Sequence, residues 1–464
     1  MNELTITLNS KLNIPLYEQI YRYIKEDICA GKIPYGEKLP STRALSVYLE
    51  VSRSTVELAY EQLVSEGYIE SVPCKGYYVA QLDGLYHQKE QKPLAVGKTE
   101  KKKKYKYHFS TSGIDLHSFP YNVWRKLTKE VLSNNSADLF NSGDSQGEEG
   151  LRYAIKQYLY QARGVDCSED QIVVGAGNEY LLILLGMILG TTHKVAFETP
   201  TYKQAYRLFQ NQGFQVTTVE MDRYGMQTEQ LRETNANLAY VMPSHQYPLG
   251  IVMPMKRRME LLKWASEKEE RYLIEDDYDS EFRYKGKPIP ALQGNDQNDK
   301  VIYLGTFSRS IAPAIRVSYM VLPKRLIGMY REKCSFLSCT VPKLDQYVIK
   351  EFLEQGYFER HLNKMRGIYK NRHDILLANL RPLMKNCTVS GEHAGVHLLL
   401  TFHDGRTEEE LIEKALLKDV KVYGLSEYDA GNSQKREATL LLGYAKMKEA
   451  DIVKAAQILC EVWK

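Results

Sequence analysis

Apolar side chains recur at helical spacing over about the first 80 residues, and beyond residue 108 in short strand-like runs separated by helical stretches. Leu16, Ile20, Ile24 and Ile28 stand four residues apart, on one face of a helix that should end near Gly31. Ser41 can cap a second helix reaching about Leu49. Ser52 can cap a third, with Val56, Ala59, Tyr60 and Leu63 inward and Gly67 as its stop. Only the turn Glu50-Val51-Ser52 separates these two helices. Tyr68–Val72 and Tyr77–Val79 then flank Pro73-Cys74-Lys75-Gly76, the pattern of a hairpin. Helix, helix, reading helix and hairpin predict a winged helix-turn-helix, mostly α with a small β wing, over residues 1–80.

Residues 81–107 are polar, with Lys89, Lys92, Lys98 and the run Lys101-Lys102-Lys103-Lys104. Such a composition buries too little apolar surface to offset ordering, so a flexible basic linker is expected. A loose contact of the lysine run with a DNA backbone is the alternative. From residue 108 to 464 the runs Gln171–Val174, Lys194–Phe197, Leu238–Val241, Arg271–Ile274 and Val301–Leu304 alternate with helical stretches. Short apolar strands separated by helices predict an α/β domain with a mainly parallel central sheet.

At 464 residues, with 43% hydrophobic and 26% charged, the chain is long enough for two or three domains of ordinary globular composition. The longest apolar run, Tyr180 to Leu189, is too short to span a bilayer, so no membrane partner is expected. The start, Met1-Asn2-Glu3-Leu4-Thr5, lacks the pattern of a secretory signal. Seven scattered cysteines without a CxxC pair argue against a disulfide framework or a metal site; reduced thiols and a cytoplasmic location are expected. A net charge of +4 does not by itself imply a polyanionic partner.

The N-terminal wording is more specific. Pro15-Leu16-Tyr17-Glu18-Gln19-Ile20, Leu39-Pro40-Ser41-Thr42-Arg43 and Val51-Ser52-Arg53-Ser54-Thr55-Val56 resemble the GntR superfamily of bacterial repressors. The resemblance implies a double-stranded DNA operator as partner. It places Arg43, Arg53, Ser54 and Thr55 at the major groove and Lys75 and Gly76 at the wing tip in the minor groove. An arginine at the start of a reading helix can take guanine through paired hydrogen bonds. The plain alternative, solvated helix residues, stays open. Glu18, Glu26, Asp27, Glu57, Glu61, Glu66 and Glu70 leave this block no more basic than acidic. Affinity must then come from placed arginines and two copies acting together.

In the large region, Gly147-Glu148-Glu149-Gly150-Leu151-Arg152, Gly175-Ala176-Gly177-Asn178-Glu179, Glu198-Thr199-Pro200-Thr201-Tyr202, Pro243-Ser244-His245-Gln246 and Glu275-Asp276-Asp277-Tyr278 come in the order found in fold-type I aminotransferases. Joined to the N-terminal block, the whole chain resembles the MocR/GabR subfamily of regulators. A smaller C-terminal α+β subdomain and a homodimer follow from the resemblance, head-to-tail, with exchanged winged helices. So does a pyridoxal phosphate pocket. In it Ala176, Gly177 and Asn178 cradle the phosphate at a helix N-terminus. Arg316, Thr306 and Ser308 add phosphate contacts, Asp276 meets the pyridine nitrogen, Tyr278 the ring hydroxyl, and Tyr202 stacks on the ring. Alternatives remain for several: a plain strand-to-helix turn at the glycines, a core ion pair for Asp276, core packing for Tyr202.

The pattern breaks on the ligand side. Thr306-Phe307-Ser308-Arg309-Ser310 carries an arginine where the resemblance places the lysine that forms an imine with the cofactor. A guanidinium stays protonated and cannot act as a neutral amine. Glu427 falls where such proteins place an arginine for the ligand's carboxylate, and Gln204 where a second anion-binding arginine occurs in the GABA-sensing members. Gln204, Arg309 and Glu427 are thus the expected effector contacts, with Glu427 favouring a cationic ligand. The resulting expectation is a DNA-binding regulator without catalytic residues, holding any pyridoxal phosphate noncovalently and sensing an unidentified small molecule. A working aminotransferase with an attached DNA-binding domain and a ligand-free scaffold are the competing readings.

Overall fold

The computed structural model of the protein describes residues 6–9, 13–81, 104–134, 137–284, 289–391, 394–431 and 436–464. Lys89, Lys92, Lys98 and Lys101 to Lys103, most of the expected linker, lie outside the described residues. The chain divides into two compact units, Met1–Lys102 and Lys103–Lys464.

In the first unit α1 (Leu16–Cys29), α2 (Thr42–Tyr48) and α3 (Arg53–Ser65) precede the antiparallel hairpin β1 (Ile69–Val72) and β2 (Gly76–Val79). Ile20, Ile24, Ile28, Val56, Ala59, Tyr60 and Leu63 are buried together, as their spacing requires. Leu16 is only half-buried, because it opens α1 at the edge of this core. Both predicted caps form: Ser41 Oγ accepts from Ala44 N at 3.1 Å and Ser52 Oγ from Thr55 N at 3.2 Å. Each satisfies a backbone donor that the first helical turn leaves over. The wing turn needs Gly76, whose φ of 112° most side chains avoid.

The second unit is built on an eight-stranded sheet. Its strands follow β3 (Tyr107–His108) in sequence. They are β4 (Ile172–Gly175), β5 (Lys194–Thr199), β6 (Gln215–Asp222), β7 (Gly225–Met226), β8 (Leu238–Val241), β9 (Tyr272–Asp277), β10 (Val301–Thr306) and β11 (Ser318–Val321). The order across the sheet is β4-β11-β10-β9-β8-β5-β6-β7. The five central strands from β10 to β6 run parallel, and β11, β4 and β7 are antiparallel to their neighbours. The central strands β8, β9 and β10 are buried end to end, as helices on both faces require, while β6 nearer the sheet edge is mostly half-buried. A four-stranded antiparallel sheet of β12 (Cys387–Ser390), β13 (His397–Phe402), β15 (Tyr423–Gly424) and β16 (Thr439–Gly443) forms the smaller subdomain. The helices Tyr357–Leu380 and Glu449–Val462 belong with it and pack on each other. β14 (Val420–Lys421) pairs in parallel with β3, so the large unit's own structure already includes Tyr107. The fold is a winged helix-turn-helix followed by a fold-type I aminotransferase body. Among the described residues no helix is long and apolar enough to cross a membrane.

Candidate functional site

In an open parallel sheet, ligand-facing side chains gather beyond the carboxyl ends of the strands. Asp276 sits there, at the end of β9, and is 4% exposed. Alternation along the strand sends its neighbours Glu275 and Asp277 to the opposite face. Asp277 accepts from Arg163 Nε at 2.7 Å and Tyr303 Oη at 2.6 Å, while Glu275 accepts the backbone N–H groups of Leu292 and Gln293. Asp276 instead accepts from Tyr240 Oη, and from Asn178 Nδ2 at 3.3 Å. Burial raises the Asp276 carboxyl to about 7, against the lowering effect of the Tyr240 hydrogen bond. Asn178 Oδ1 is buried without a partner.

Tyr278 reaches His245 Nδ1 at 3.1 Å, and the same nitrogen lies 3.0 Å from Asp279 Oδ1. Burial drives the Tyr278 phenol well above its usual range. Tyr202 opens the helix α4 (Lys203–Asn211). It meets Tyr247 edge to face at 6.3 Å, and Tyr247 meets Tyr278 likewise at 5.7 Å. Arg309, three residues past β10, projects over the Tyr278 ring, with Cζ 5.8 Å from its centroid. Its Nη2 donates to Thr111 O at 3.0 Å, and its Nη1 is buried without a partner. Beside it Tyr247 Oη lies 2.9 Å from Thr111 Oγ1 and 3.0 Å from Tyr428 Oη, donating its single proton to one hydroxyl and accepting from the other.

The expected phosphate end is arranged differently from the sequence reading. Gly177 caps the helix α5 (Asn178–Leu189, placed before α4 in the chain) with φ 98°, and a Cβ there would lie 2.2 Å from Arg316 Nη2. Arg316, itself left-handed at φ 51°, is therefore packed directly on this glycine. Yet Arg316 Nη2 is already engaged, donating to Glu179 Oε2 at 2.7 Å and to Ala176 O at 3.3 Å. The backbone N–H groups of Ala176 and Gly177, expected to be free for a phosphate, donate to Thr340 Oγ1 and to Gly175 O, both at 2.9 Å. Thr306, expected beside the phosphate, has its hydroxyl turned inward, accepting from Ser318 Oγ at 2.8 Å and Ser308 N at 3.1 Å. Ser308 Oγ is buried and unpartnered.

Two expected effector contacts lie apart from this cluster. Gln204 is exposed on the first turn of α4, and Glu427 is exposed on the short turn Leu425–Tyr428. That turn is tied to the site by Thr201 N donating to Tyr428 O at 3.0 Å, and Tyr428 enters the hydroxyl cluster. Among the described residues no group of three His, Cys, Asp or Glu side chains could hold a metal.

On the first unit, Arg43, Arg53 and Ser54 are exposed and Thr55 is half-buried, all on α2 and the first turn of α3. Arg53 Nε donates to Glu57 Oε1 at 2.7 Å. Ser52 Oγ lies 2.9 Å from Ser54 Oγ and 2.7 Å from Thr55 Oγ1, which fixes both hydroxyls beside the cap. Lys75 is exposed in the wing turn, and a Cβ at Gly76 would sit 3.2 Å from Lys38 Cε, which brings a second lysine to the wing.

Comparison with known proteins bears on both units. Residues 112–459 match the family aminotransferase class I and II, and residues 16–79 match the bacterial regulatory proteins of the gntR family. An uncharacterized HTH-type transcriptional regulator of Bacillus subtilis, YdeL, is 39% identical over 100% of both chains. The chain belongs to this family of GntR-type transcription regulators with an aminotransferase-like domain. The probable rhizopine catabolism regulatory protein MocR of Rhizobium meliloti is 29% identical over 95% of this chain and 92% of its own. Among solved structures, a kynurenine aminotransferase of Pyrococcus horikoshii aligns with a TM-score of 0.70 at 27% identity, covering 78% of this chain and 91% of that one.

In this regulator several members of the cleft carried no role in the sequence reading: Thr111, His245, Tyr247, Asp279 and Tyr428. His245 lies inside the motif Pro243-Ser244-His245-Gln246 and Tyr247 directly follows it, so a signal existed for them. Thr111 and Tyr428 reach the cluster from opposite ends of the large unit, 317 residues apart, and no local pattern marks them.

Proposed function

We propose that the aminotransferase-like domain of this regulator is a catalytically silent module for ligand sensing and dimerisation that governs DNA binding by the winged helix. Arg309 carries the reading. It stands at the position the resemblance assigns to the cofactor-binding lysine, and a permanently charged guanidinium offers no nucleophilic amine. Its tie to Thr111 O and its place over Tyr278 support a fixed, ligand-facing cation. A working transaminase is disfavoured on the same ground.

The residues present fit the ring of pyridoxal phosphate better than its phosphate. Asp276 would face the pyridine nitrogen, Tyr278 the ring hydroxyl and Tyr202 the ring face, while Asn178 Oδ1 is left without a partner beside them. Arg316 would hold the phosphate only beside the Glu179 carboxylate that pairs with its Nη2. Bound cofactor would supply an electron-withdrawing ring; with no amine at residue 309, these side chains only bind and orient it. Binding is therefore noncovalent and reversible. In the dimer, subunits run head-to-tail and each winged helix rests on the other subunit's large unit, which presents two reading heads to a paired operator. Arg43, Arg53, Ser54 and Thr55 address the major groove, and Lys75 and Gly76 the minor groove.

Titrating the purified chain with pyridoxal phosphate, followed by thermal shift and dialysis, tests this reading. Binding that dialyses away, with no transamination above background, is expected. Turnover of an amino acid would overturn it.

A further inference from the structure

Two arginines face the cleft, and they differ in what they still lack. Arg316 already has an anion beside it: Glu179 Oε2 pairs with its Nη2 at 2.7 Å. Burial of Glu179 works against its charge, but the Arg316 hydrogen bond and its own backbone N–H hold its carboxyl below the usual range. The chain thus supplies its own anion at the place where a phosphate would seek one. Arg309 is not satisfied. Among the described residues no carboxylate pairs with it, and Nη1 is buried with no acceptor. A buried charged donor left without a partner is among the costlier defects a fold can keep.

From this asymmetry we infer that the ligand of the large unit is a small planar carboxylate gripped by Arg309, with no phosphate at the Arg316 end, an assignment that rests on the sensing role proposed above. A carboxylate reaching Arg309 Nη1 competes with no protein acceptor and fills an orphaned donor in a charge-assisted bond. A phosphate arriving at Arg316 meets the Glu179 carboxylate already beside that guanidinium, and the two anions repel. Ser308 Oγ, also buried and unpartnered, stands one residue from Arg309 as a second donor. The walls favour a flat molecule, because the Tyr202, Tyr247 and Tyr278 rings meet edge to face around the cleft. At the far side Asp276, whose carboxyl burial raises to about 7, and the unpartnered Asn178 Oδ1 suit a polar ring edge. A heteroaromatic carboxylate of the pyridine type meets all of these conditions.

Calorimetric titration of the full chain with 4-pyridoxate, pyridoxine and pyridoxal phosphate tests the assignment. Pyridoxine has the same ring as 4-pyridoxate with a hydroxymethyl group in place of the carboxylate. 4-Pyridoxate should bind at least about tenfold more tightly than pyridoxine, the scale of one hydrogen bond to a charged group. It should also bind more tightly than pyridoxal phosphate. Arg309→Gln should abolish the preference for the carboxylate over pyridoxine; Arg309→Lys, which keeps a cation, should retain part of it. Glu179→Gln should strengthen pyridoxal phosphate alone. Equal affinity for 4-pyridoxate and pyridoxine, no binding of either, tighter binding of pyridoxal phosphate, or a preference that survives Arg309→Gln would each overturn the inference. Because the ligand comparison on the unaltered chain decides by itself, a variant that fails to fold does not rescue it. A borohydride-stable cofactor adduct would instead sink the reading of residue 309, so the two failures are distinguishable.

Discussion

Arg53→Ala separates reading of DNA from stability of the reading helix. Arg53 is the first residue of α3, and its side chain is 65% exposed. In the free protein its one ion pair, with Glu57, is of the exposed i,i+4 kind, worth only about 0.3–0.5 kcal/mol. Alanine is also a better helix former than arginine, so melting should move by no more than a degree or two. A lost bidentate base contact is far larger, about 1–3 kcal/mol, or roughly fivefold to 150-fold in affinity. Glu57 adds a second arm. DNA must draw Arg53 away from it, so Glu57→Gln should strengthen binding by up to about twofold, the scale of one exposed pair. Fluorescence anisotropy with a duplex selected from a random pool by the unaltered protein would measure both. Arg53→Ala binding as tightly as the parent, with unrelaxed sequence preference, would show that α3 does not present Arg53 to base edges.

Lys75→Ala should weaken binding evenly across sequences and lower the salt slope by about one, since a wing lysine meets phosphates; a sequence-selective loss would contradict that. Burial raises Glu198 to about 7 from an ordinary 4.5. The unfolded chain ionises first, so stability falls as pH climbs between those values and the penalty is complete above about 7. The melting temperature of Glu198→Gln relative to the parent should therefore rise from pH 5 to pH 8, and a flat difference would refute the assignment. Light scattering at micromolar concentration should give a dimer mass; a monomer would remove the paired reading heads from the proposed function.

Much of the fold was legible because its signals are local. The spacing of Ile20, Ile24 and Ile28, the caps at Ser41 and Ser52, and the apolar runs of β4, β5, β8, β9 and β10 each lie within a few residues of chain. What the runs could not show is that β11 inserts antiparallel between β4 and β10, or that β3 pairs with β14 from more than 300 residues away. The candidate site divides in the same way. Motif spacing brings Asp276, Tyr278 and Tyr202 to attention, but not the tertiary contacts that change their neighbours' roles. Glu179, adjacent to the expected phosphate cradle, reaches Arg316 across 137 positions. Thr306 turns inward because Ser318, its partner on β11, claims its hydroxyl. The turn that carries Glu427 also contributes Tyr428 to the hydroxyl cluster, a contact the motif did not mark.

The position of residue 309 is tested most directly by borohydride reduction in the presence of pyridoxal phosphate, followed by peptide mass spectrometry, on the parent and on Arg309→Lys side by side. The parent should show no cofactor mass on the peptide containing residue 309, because a guanidinium there forms no imine to reduce. Arg309→Lys should show the reduced adduct on the peptide containing residue 309, with a visible absorbance band before reduction. A stoichiometric adduct on one other lysine of the parent, with the same absorbance band before reduction, would mean that residue 309 does not hold the lysine position, and the proposal of a silent sensing domain would fall with it.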